Sequence, residues 1–400
     1  MAGQENRRPS VADFGPVAPL YGAVQHEIEE AGMLDAGRGL AALIRHRKRW
    51  ARQAAAAHAA GGPPAPRGAL REVTGFGSNP GRLRMFVHLP AGLPRGAPLV
   101  VALHGCTQDA AGYDQGSGWS AMADAHGFAL LLPEQRQANN PNRCFNWFDP
   151  AHASREGGEA VSIRQMIGHL ATAEGLGSVF VTGLSAGGAM ASALLATHPE
   201  IFAGGAVIAG LPHGAAGTVG EAFGAMFTPQ VLSAGQRGAA VRAASPHGGP
   251  WPRVAVWHGT GDTTVRPGNA EEVAKQWLEM HRLAGAPPSE AGSEDGHAWR
   301  RWRDAQGAVV VEVHLIDGMA HGVPLHAGSG DGQCGVAGPF LLDVGHSSTH
   351  GILEFWGIAS PSPGRARPAR AEAGPAAESL LPDPGAVIRK ALAAAGLMRR

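Results

Sequence analysis

Cysteine is scarce in this chain. Three occur in 400 residues, Cys106, Cys144 and Cys334; that is too few for a disulfide framework, and their spacing suits no zinc site. One pair at most can form, leaving one thiol over. Net charge is also lacking, because 33 basic residues balance 33 acidic ones. No overall field draws the protein towards nucleic acid or an anionic membrane surface, so a neutral partner is expected. The apolar runs are short, none reaching the roughly eighteen residues of a spanning helix. The opening stretch MAGQENRRPSVADFGPVAPLYGA carries two arginines but no apolar h-region, from which no cleavable export signal and a cytoplasmic location are expected. No internal repeat is visible.

What is abundant is glycine, 59 residues, together with alanine and proline spread along the whole chain. We read that bias as GC-rich coding before any function. The length suffices for one large α/β domain with extensions, and a sizeable core is available.

Three regions are expected. Residues 1–68 hold a helical pattern, LDAGRGLAALIRHRKRWARQAAAAHAA, which breaks at GGPPAPRG and reads as an appendage and linker whose basic side is a solvated helix face. Residues 69–358 form the main domain. Residues 359–400 read as a Pro/Ala-rich linker, disordered over 360–383, and a short C-terminal helix, PGAVIRKALAAAGLMRR. Within the main domain, LRMFVHLP, PLVVALHG, FALLLPEQ, SVFVTGLS, GGAVIAGLP and RVAVWHGT are short apolar runs that end in Gly, Pro, Ser or similar breakers. They predict strands buried on both faces. Helical patterns lie between several of them: GWSAMADAHG, EAVSIRQMIGHLATAEG, AGGAMASALLATHP and NAEEVAKQWLEMHRLAG. A strand pair is predicted around DAQG and a closing helix over SSTHGILEFWG. Alternating strands and helices predict an α/β fold with a mostly parallel central sheet covered by helices on both faces.

The stretch VFVTGLSAGGAMASALL sets Ser185 between a predicted strand and a predicted helix, with Gly183, Ala186, Gly187 and Gly188 around it. A nucleophilic serine needs such a corner: a sharp turn, small neighbours that let helix and strand approach, and helix N–H groups aimed at a developing oxyanion. The alternative is a serine that merely caps a helix. A hydroxyl becomes nucleophilic when a histidine takes its proton and a carboxylate orients that histidine. In sheets of this kind the order along the chain is Ser, acid, His. Asp262, just beyond the strand in RVAVWHGTGDTTVRP, and His321, in the loop of VVVEVHLIDGMAHGVP, stand where that order requires.

Rival residues have simpler roles. Asp317 belongs to the turn of His321, while Asp295 and Asp304 fall in a loop and a hairpin turn. His314 lies within a strand, His258 reads as a packed or hydrogen-bonded residue, and His326, His346 and His350 lie past the loop or in the last helix. For the oxyanion hole, the backbone N–H of Ala186 is one donor, and that of Cys106, after the early strand of PLVVALHGC, is the other.

With those residues assembled, the chain resembles the poly(3-hydroxybutyrate) depolymerase-like esterases of the α/β-hydrolase superfamily, a family with feruloyl and acetylxylan esterase relatives. The resemblance rests on LVVALHGCTQDAAGYDQGSGWSAMADAHGFALLLPEQ, NRCFNWFDP, VFVTGLSAGGAMASALLATHPEIFAGGAVIAGLP, VWHGTGDTTVRPGNA, GMAHGVP and STHGILEFWG. It implies a triad of Ser185, Asp262 and His321 and an oxyanion hole at the Cys106 and Ala186 amides. It also implies a Cys106–Cys144 bridge, for which two buried thiols are the alternative, and Trp147 as a wall of the substrate cleft, for which an ordinary core tryptophan is the alternative. Cys334 is expected to be free. Many members are extracellular, begin with a signal peptide and carry a separate substrate-binding domain, and neither is visible here.

The expected activity is serine carboxylesterase hydrolysis, without metal or organic cofactor, of short-chain polyhydroxyalkanoate polyester or oligomers. A feruloyl or acetyl ester on plant polysaccharide is the alternative substrate. Rival classes are an acyltransferase, which would need a dry acceptor pocket, and a non-catalytic granule-binding protein held by its terminal helices.

Overall fold

The computed structural model describes residues 70–360, Asp331 excepted. The N-terminal appendage and linker, and the C-terminal linker and helix, therefore lie outside the described residues, apart from the first positions next to the main domain.

The twelve strands in chain order are β1 (Arg71–Val73), β2 (Arg84–His88), β3 (Leu99–Leu103), β4 (Ala129–Glu134), β5 (Val179–Leu184), β6 (Phe202–Ile208), β7 (Arg253–Gly259), β8 (Glu290–Glu294), β9 (His297–Arg303), β10 (Val309–Ile316), β11 (Val323–Leu325) and β12 (Leu341–Asp343). The first ten make one sheet in the order β1-β2-β4-β3-β5-β6-β7-β10-β9-β8, and β11 and β12 pair separately. From β4 to β10 every neighbouring pair is parallel, while β1, β2, β8 and β9 add antiparallel edges. Parallel neighbours require crossovers, and helices supply them. These are α1 (Ala110–Ser117), α2 (Trp119–His126), α3 (Pro150–Ala153), α4 (Gly158–Glu174), α5 (Ala186–Thr197), α6 (Val219–Phe227), α7 (Ala234–Ala244), α8 (Gly268–Met280) and α9 (Ser348–Trp356).

The continuous apolar runs have a direct cause in this architecture. Side chains alternate across a strand, so a strand covered on both faces must be apolar at every position. In β3, Leu99, Val101 and Leu103 enter one core with Met166 and Leu170 of α4, Leu194 of α5 and Trp277 of α8. Val100 and Ala102 enter the other, with Tyr113 of α1, Trp119 of α2 and Trp356 of α9. Loops leaving the C-terminal ends of parallel strands converge on one edge of the sheet, which is where such folds place their sites.

Among the described residues no helix is long and apolar enough to cross a membrane.

Candidate active site

Ser185 follows β5 directly and precedes α5. Its backbone lies at φ 58° and ψ −117°, a conformation that costs an L-residue about 1–3 kcal/mol and persists only where surrounding structure holds it. The Ser185 N–H donates to the Ile208 carbonyl of β6 at 2.9 Å, which pins the corner to the neighbouring strand. Gly187 explains the small residues beyond it. A Cβ there would overlap the Leu103 and His104 carbonyl oxygens at the end of β3. The first turn of α5 can therefore lie against the loop that carries Cys106. Ala186, at the helix start, has no intrahelical acceptor for its N–H. The Cys106 N–H, outside any helix or strand, donates to no group among the described residues.

Asp262 and His321 are brought together by two loops tied to one another. Thr260 N–H donates to Ile316 O at 2.9 Å and Gly261 N–H to Met319 O at 3.0 Å. Gly259 permits that approach, since a Cβ there would overlap the Met319 carbonyl. The Asp262 carboxylate is completely buried. Its Oδ2 lies 2.6 Å from His321 Nδ1, and its Oδ1 accepts from the backbone N–H groups of Thr264 at 2.8 Å and Val265 at 2.9 Å. Burial alone would raise the Asp262 pKa; the charge of His321 and hydrogen bonds from His258 and His321 outweigh it and hold the group well below the usual carboxylate range. An ionised acid of this kind favours the His321 tautomer with its proton on Nδ1, leaving Nε2 free to accept one.

Ser185 is not hydrogen-bonded to His321 among the described residues. The structure thus joins the acid to the histidine and sets the serine on the same edge of the sheet, at the end of β5, with β6 between it and β7. Catalytic hydrogen bonds of unliganded enzymes commonly tighten only with substrate in place.

The remaining sequence candidates separate clearly. Cys106 and Cys144 form a disulfide with a Cα–Cα distance of 4.2 Å, so the loop after β3 is covalently tied to the segment that carries Trp147. Cys334 is free and buried. Asp317 accepts from Thr260 Oγ1 at 3.0 Å within the turn before His321, and Asp304 accepts from Gln306 and Ala308 N–H in the hairpin between β9 and β10. Asp295 lies in the turn between β8 and β9. His314 is buried in β10, 2.8 Å from His297 and stacked on Trp257. His326 meets Gln333, His346 meets the Asp295 carbonyl, and His350 meets Glu354.

Trp147 is half-buried and packs against the small cluster of Ala189, Leu211, Ala215, Ala225 and Val265. It also lines a cavity of about 540 Å³ with Ala153, Thr197, His213, Ala244 and Pro246. Ser185, Asp262 and His321 do not line that cavity; Trp147 connects it to the packing around the first turn of α5 and the loop after Asp262. Among the described residues, no group of three or more His, Cys, Asp or Glu side chains is arranged to hold a metal ion.

His258 is hydrogen-bonded and buried as expected, with Nε2 2.8 Å from the Val265 carbonyl; what the sequence reading did not supply is that the same nitrogen lies 3.3 Å from Asp262 Oδ2, for which its place four residues before Asp262 was the available signal. A second feature also escaped that reading. Glu159, wholly buried, accepts from Gln135 Nε2 at 2.6 Å and from Asn146 N and Nδ2 at 2.8 and 2.6 Å. No local pattern marks it, because its partners come from elsewhere in the chain.

A family model described as esterase PHB depolymerase matches residues 83–298. The poly(3-hydroxyalkanoate) depolymerase C of Paucimonas lemoignei is 42% identical over 293 residues, covering 72% of this chain and 70% of that protein. An acetylxylan esterase of Coprinopsis cinerea is 33% identical over 278 residues, covering 66% of this chain and 72% of that one. Among solved structures, the acetyl xylan esterase from Aspergillus awamori superposes with a TM-score of 0.62 at 25% identity, covering 73% of this chain and all of that one.

Proposed function

The chain belongs to the esterase PHB depolymerase family and is a carboxylic ester hydrolase, and from that premise we propose that it hydrolyses short-chain polyhydroxyalkanoate polyester or oligomers through an acyl-enzyme on Ser185. The observation that carries the substrate is the 42% identity over 293 residues to a polyhydroxyalkanoate depolymerase.

In this reading His321 Nε2 takes the proton of Ser185 Oγ as the oxygen attacks the ester carbonyl carbon. The carbonyl π pair moves onto oxygen, and the Cys106 and Ala186 N–H groups hold the resulting anion. When the tetrahedral intermediate collapses, His321 gives its proton to the departing alcohol oxygen. Water then repeats the sequence on the acyl-enzyme: His321 takes its proton, the hydroxyl adds to the carbonyl, and collapse frees the acid and restores Ser185. Asp262 stays ionised throughout, keeps the imidazole oriented and stabilises its cation.

Trp147 acts as an apolar wall for the chain that extends from the scissile ester. What supports this is its half-buried position between the Ala189–Val265 cluster and the cavity. The walls of that cavity mix Ala153, Ala244 and Pro246 with Arg155, Glu156 and Thr197, so the wall role is assigned to Trp147 alone.

The test is release of soluble 3-hydroxybutyrate from amorphous poly(3-hydroxybutyrate), with Ser185→Ala as control. Release that vanishes in the variant supports nucleophile and substrate together. No release, accompanied by Ser185-dependent cleavage of acetylated xylan, would overturn the polyester assignment in favour of a plant ester, the reading that the acetyl xylan esterase superposition favours.

A further inference from the structure

We propose that Phe340 is a positioning residue for ester hydrolysis, its ring setting the plane of the His321 imidazole so that Nε2 faces Ser185; this rests on the reading of His321 as the base.

Phe340 stands where the backbone least suits a phenylalanine. Gly338 and Leu341 close a four-residue turn through two hydrogen bonds, from the Gly338 N–H to Leu341 O at 2.9 Å and from the Leu341 N–H to Gly338 O at 3.0 Å. Pro339 takes the second position, its φ held at about −65° by the pyrrolidine ring. Phe340 takes the third, at φ 64°. A negative φ followed by a positive one is the pattern of a type II turn, whose third position ordinarily takes glycine or asparagine. A bulky side chain there is a backbone outlier, and such residues persist where surrounding structure holds them, with a preference for functional sites.

The turn is held against the loop of His321. Phe340 O accepts from the Val323 N–H at 2.8 Å, two residues after His321, and Gly322 lies so near that a Cβ on it would overlap the same carbonyl. Strands β11 and β12 continue the contact, pairing Val323 with Leu341. On its other side Leu341 packs against Gly116 of α1, where a Cβ would overlap the leucine side chain. The turn therefore cannot drift from His321 without opening the β11–β12 pair. Its ring stands at 78° to the imidazole with centroids 6.1 Å apart, within the edge-to-face range of aromatic pairs.

The imidazole needs such a contact. The χ2 torsion of a histidine is broad, so packing and hydrogen bonds decide the plane of the ring. Asp262 Oδ2 holds Nδ1 at 2.6 Å, a single point about which the ring can still tilt, and among the described residues Ser185 supplies no second hydrogen bond. Tilting swings Nε2, the atom that must meet the serine. The Phe340 ring blocks that motion on its side. Phe340 also packs against the core of α1 and α2, but it is only half-buried there, and a leucine would serve that core as well.

The experiment compares Phe340→Leu, Phe340→Asn and Phe340→Tyr in the full chain. Leucine keeps the apolar bulk and asparagine suits the turn, but both remove the ring; tyrosine keeps it. For each, kcat and KM are measured on a soluble short-chain ester, together with the far-downfield proton resonance of the His321 Nδ1–H, identified by its loss in Asp262→Ala. A misplacement of about 1 Å can cost about a hundredfold in rate, so a loosened imidazole is expected to lower kcat by about fivefold or more in the leucine and asparagine variants, with KM within about twofold. The resonance should broaden in both. Phe340→Tyr should keep kcat within about twofold of the unaltered chain and the resonance sharp. A residue kept for the turn alone would give Phe340→Asn a higher urea midpoint and an unchanged kcat. A folded ring-less variant with undiminished kcat, a loss carried by KM, or a fall in kcat with the resonance unmoved would overturn the proposal. If one ring-less variant does not fold, the other is read alone. Retained hydrolysis in His321→Ala would instead overturn the reading of His321 as the base, and this inference with it.

Discussion

His258 Nε2 lies 3.3 Å from Asp262 Oδ2, the oxygen that meets His321 Nδ1 at 2.6 Å. Because the same His258 nitrogen faces the Val265 carbonyl at 2.8 Å, it carries a proton and donates to both. The carboxylate thus collects donors on each oxygen: His321 and His258 on one, the Thr264 and Val265 amides on the other. A buried carboxylate surrounded by donors stays ionised and stays still, as an orienting acid must.

Asp262→Asn leaves the shape of that arrangement but turns one oxygen into a donor, so His321 loses the partner that selects its tautomer. The expected result is a fall in kcat of about a thousandfold or more with KM little changed. His258→Phe removes a single donor and is expected to lower kcat by no more than about tenfold. Steady-state kinetics on one soluble ester ranks the two. A His258 variant as impaired as the Asp262 variant would contradict the assignment of His321 as the base and His258 as the support.

The Asp262 pKa also makes a statement about acid stability. A carboxyl whose folded pKa lies below its unfolded value of about 3.9 stabilises the fold fully above that value and loses the contribution as pH falls through the folded pKa. The stability gap between the unaltered chain and Asp262→Asn should therefore be flat from about pH 7 to pH 5 and narrow from about pH 4 downwards. Urea unfolding at a series of pH values reads the gap directly. A gap that widens on acidification would mean that the folded pKa is raised.

Reduction of the Cys106–Cys144 bridge should affect stability and rate together. The bridge spans 38 residues, and closing a loop of that length stabilises a fold by about 3–4 kcal/mol on a chain-entropy basis. It also ties the loop after β3, which carries the proposed Cys106 donor, to the Trp147 segment. Dithiothreitol is expected to lower the urea midpoint and kcat of the unaltered chain, whereas a double serine variant at Cys106 and Cys144 should be low from the start and insensitive to reductant. Equal urea midpoints with and without reductant, under conditions where thiol titration shows the bridge open, would count against this role.

Much of the site was legible because its signals are local. The Ser185 corner needs a strand, small residues and a helix in immediate succession, and those are adjacent letters. Asp262 and His321 could be chosen because each follows a strand long and apolar enough to recognise. Other parts of the fold lack such signals. The helix α7, AGQRGAAVRAA, has no clear apolar stripe. It is held by a buried ion pair between Arg237 and Glu272 of α8 at 2.7 Å, a partner 35 residues away. The helix α6, VGEAFGAMF, contains two glycines, which lower the intrinsic helix signal. Strands β11 and β12 have three residues each and are too short for periodicity to register. The Glu159 set is the same case in side chains: Gln135 and Asn146 converge on one carboxylate only after β4 and α4 have packed.

The proposed role of Trp147 as a cleft wall separates cleavage of the ester from recognition of the chain around it. The side chain lies between the Ala189–Val265 cluster and the cavity beside α5, and its tie to the Asp262–His321 pair runs through Val265, whose backbone N–H donates to Asp262 Oδ1 at 2.9 Å. Trp147→Ala should therefore leave kcat on a minimal acetate ester within about twofold of the unaltered value, since uniform binding affects KM without touching the chemical step. The burden should appear with length, as a several-fold rise in KM for hydroxybutyrate oligomers and slower release from polymer. Stability should fall by less than the roughly 3–5 kcal/mol of a fully buried tryptophan, because the side chain is only partly buried. Measuring kcat and KM against a series of oligomers of increasing length distinguishes the two roles. A penalty that is the same for acetate and for oligomers would make Trp147 a core residue whose loss merely loosens the site, while a penalty that grows with chain length would place the extended substrate against it.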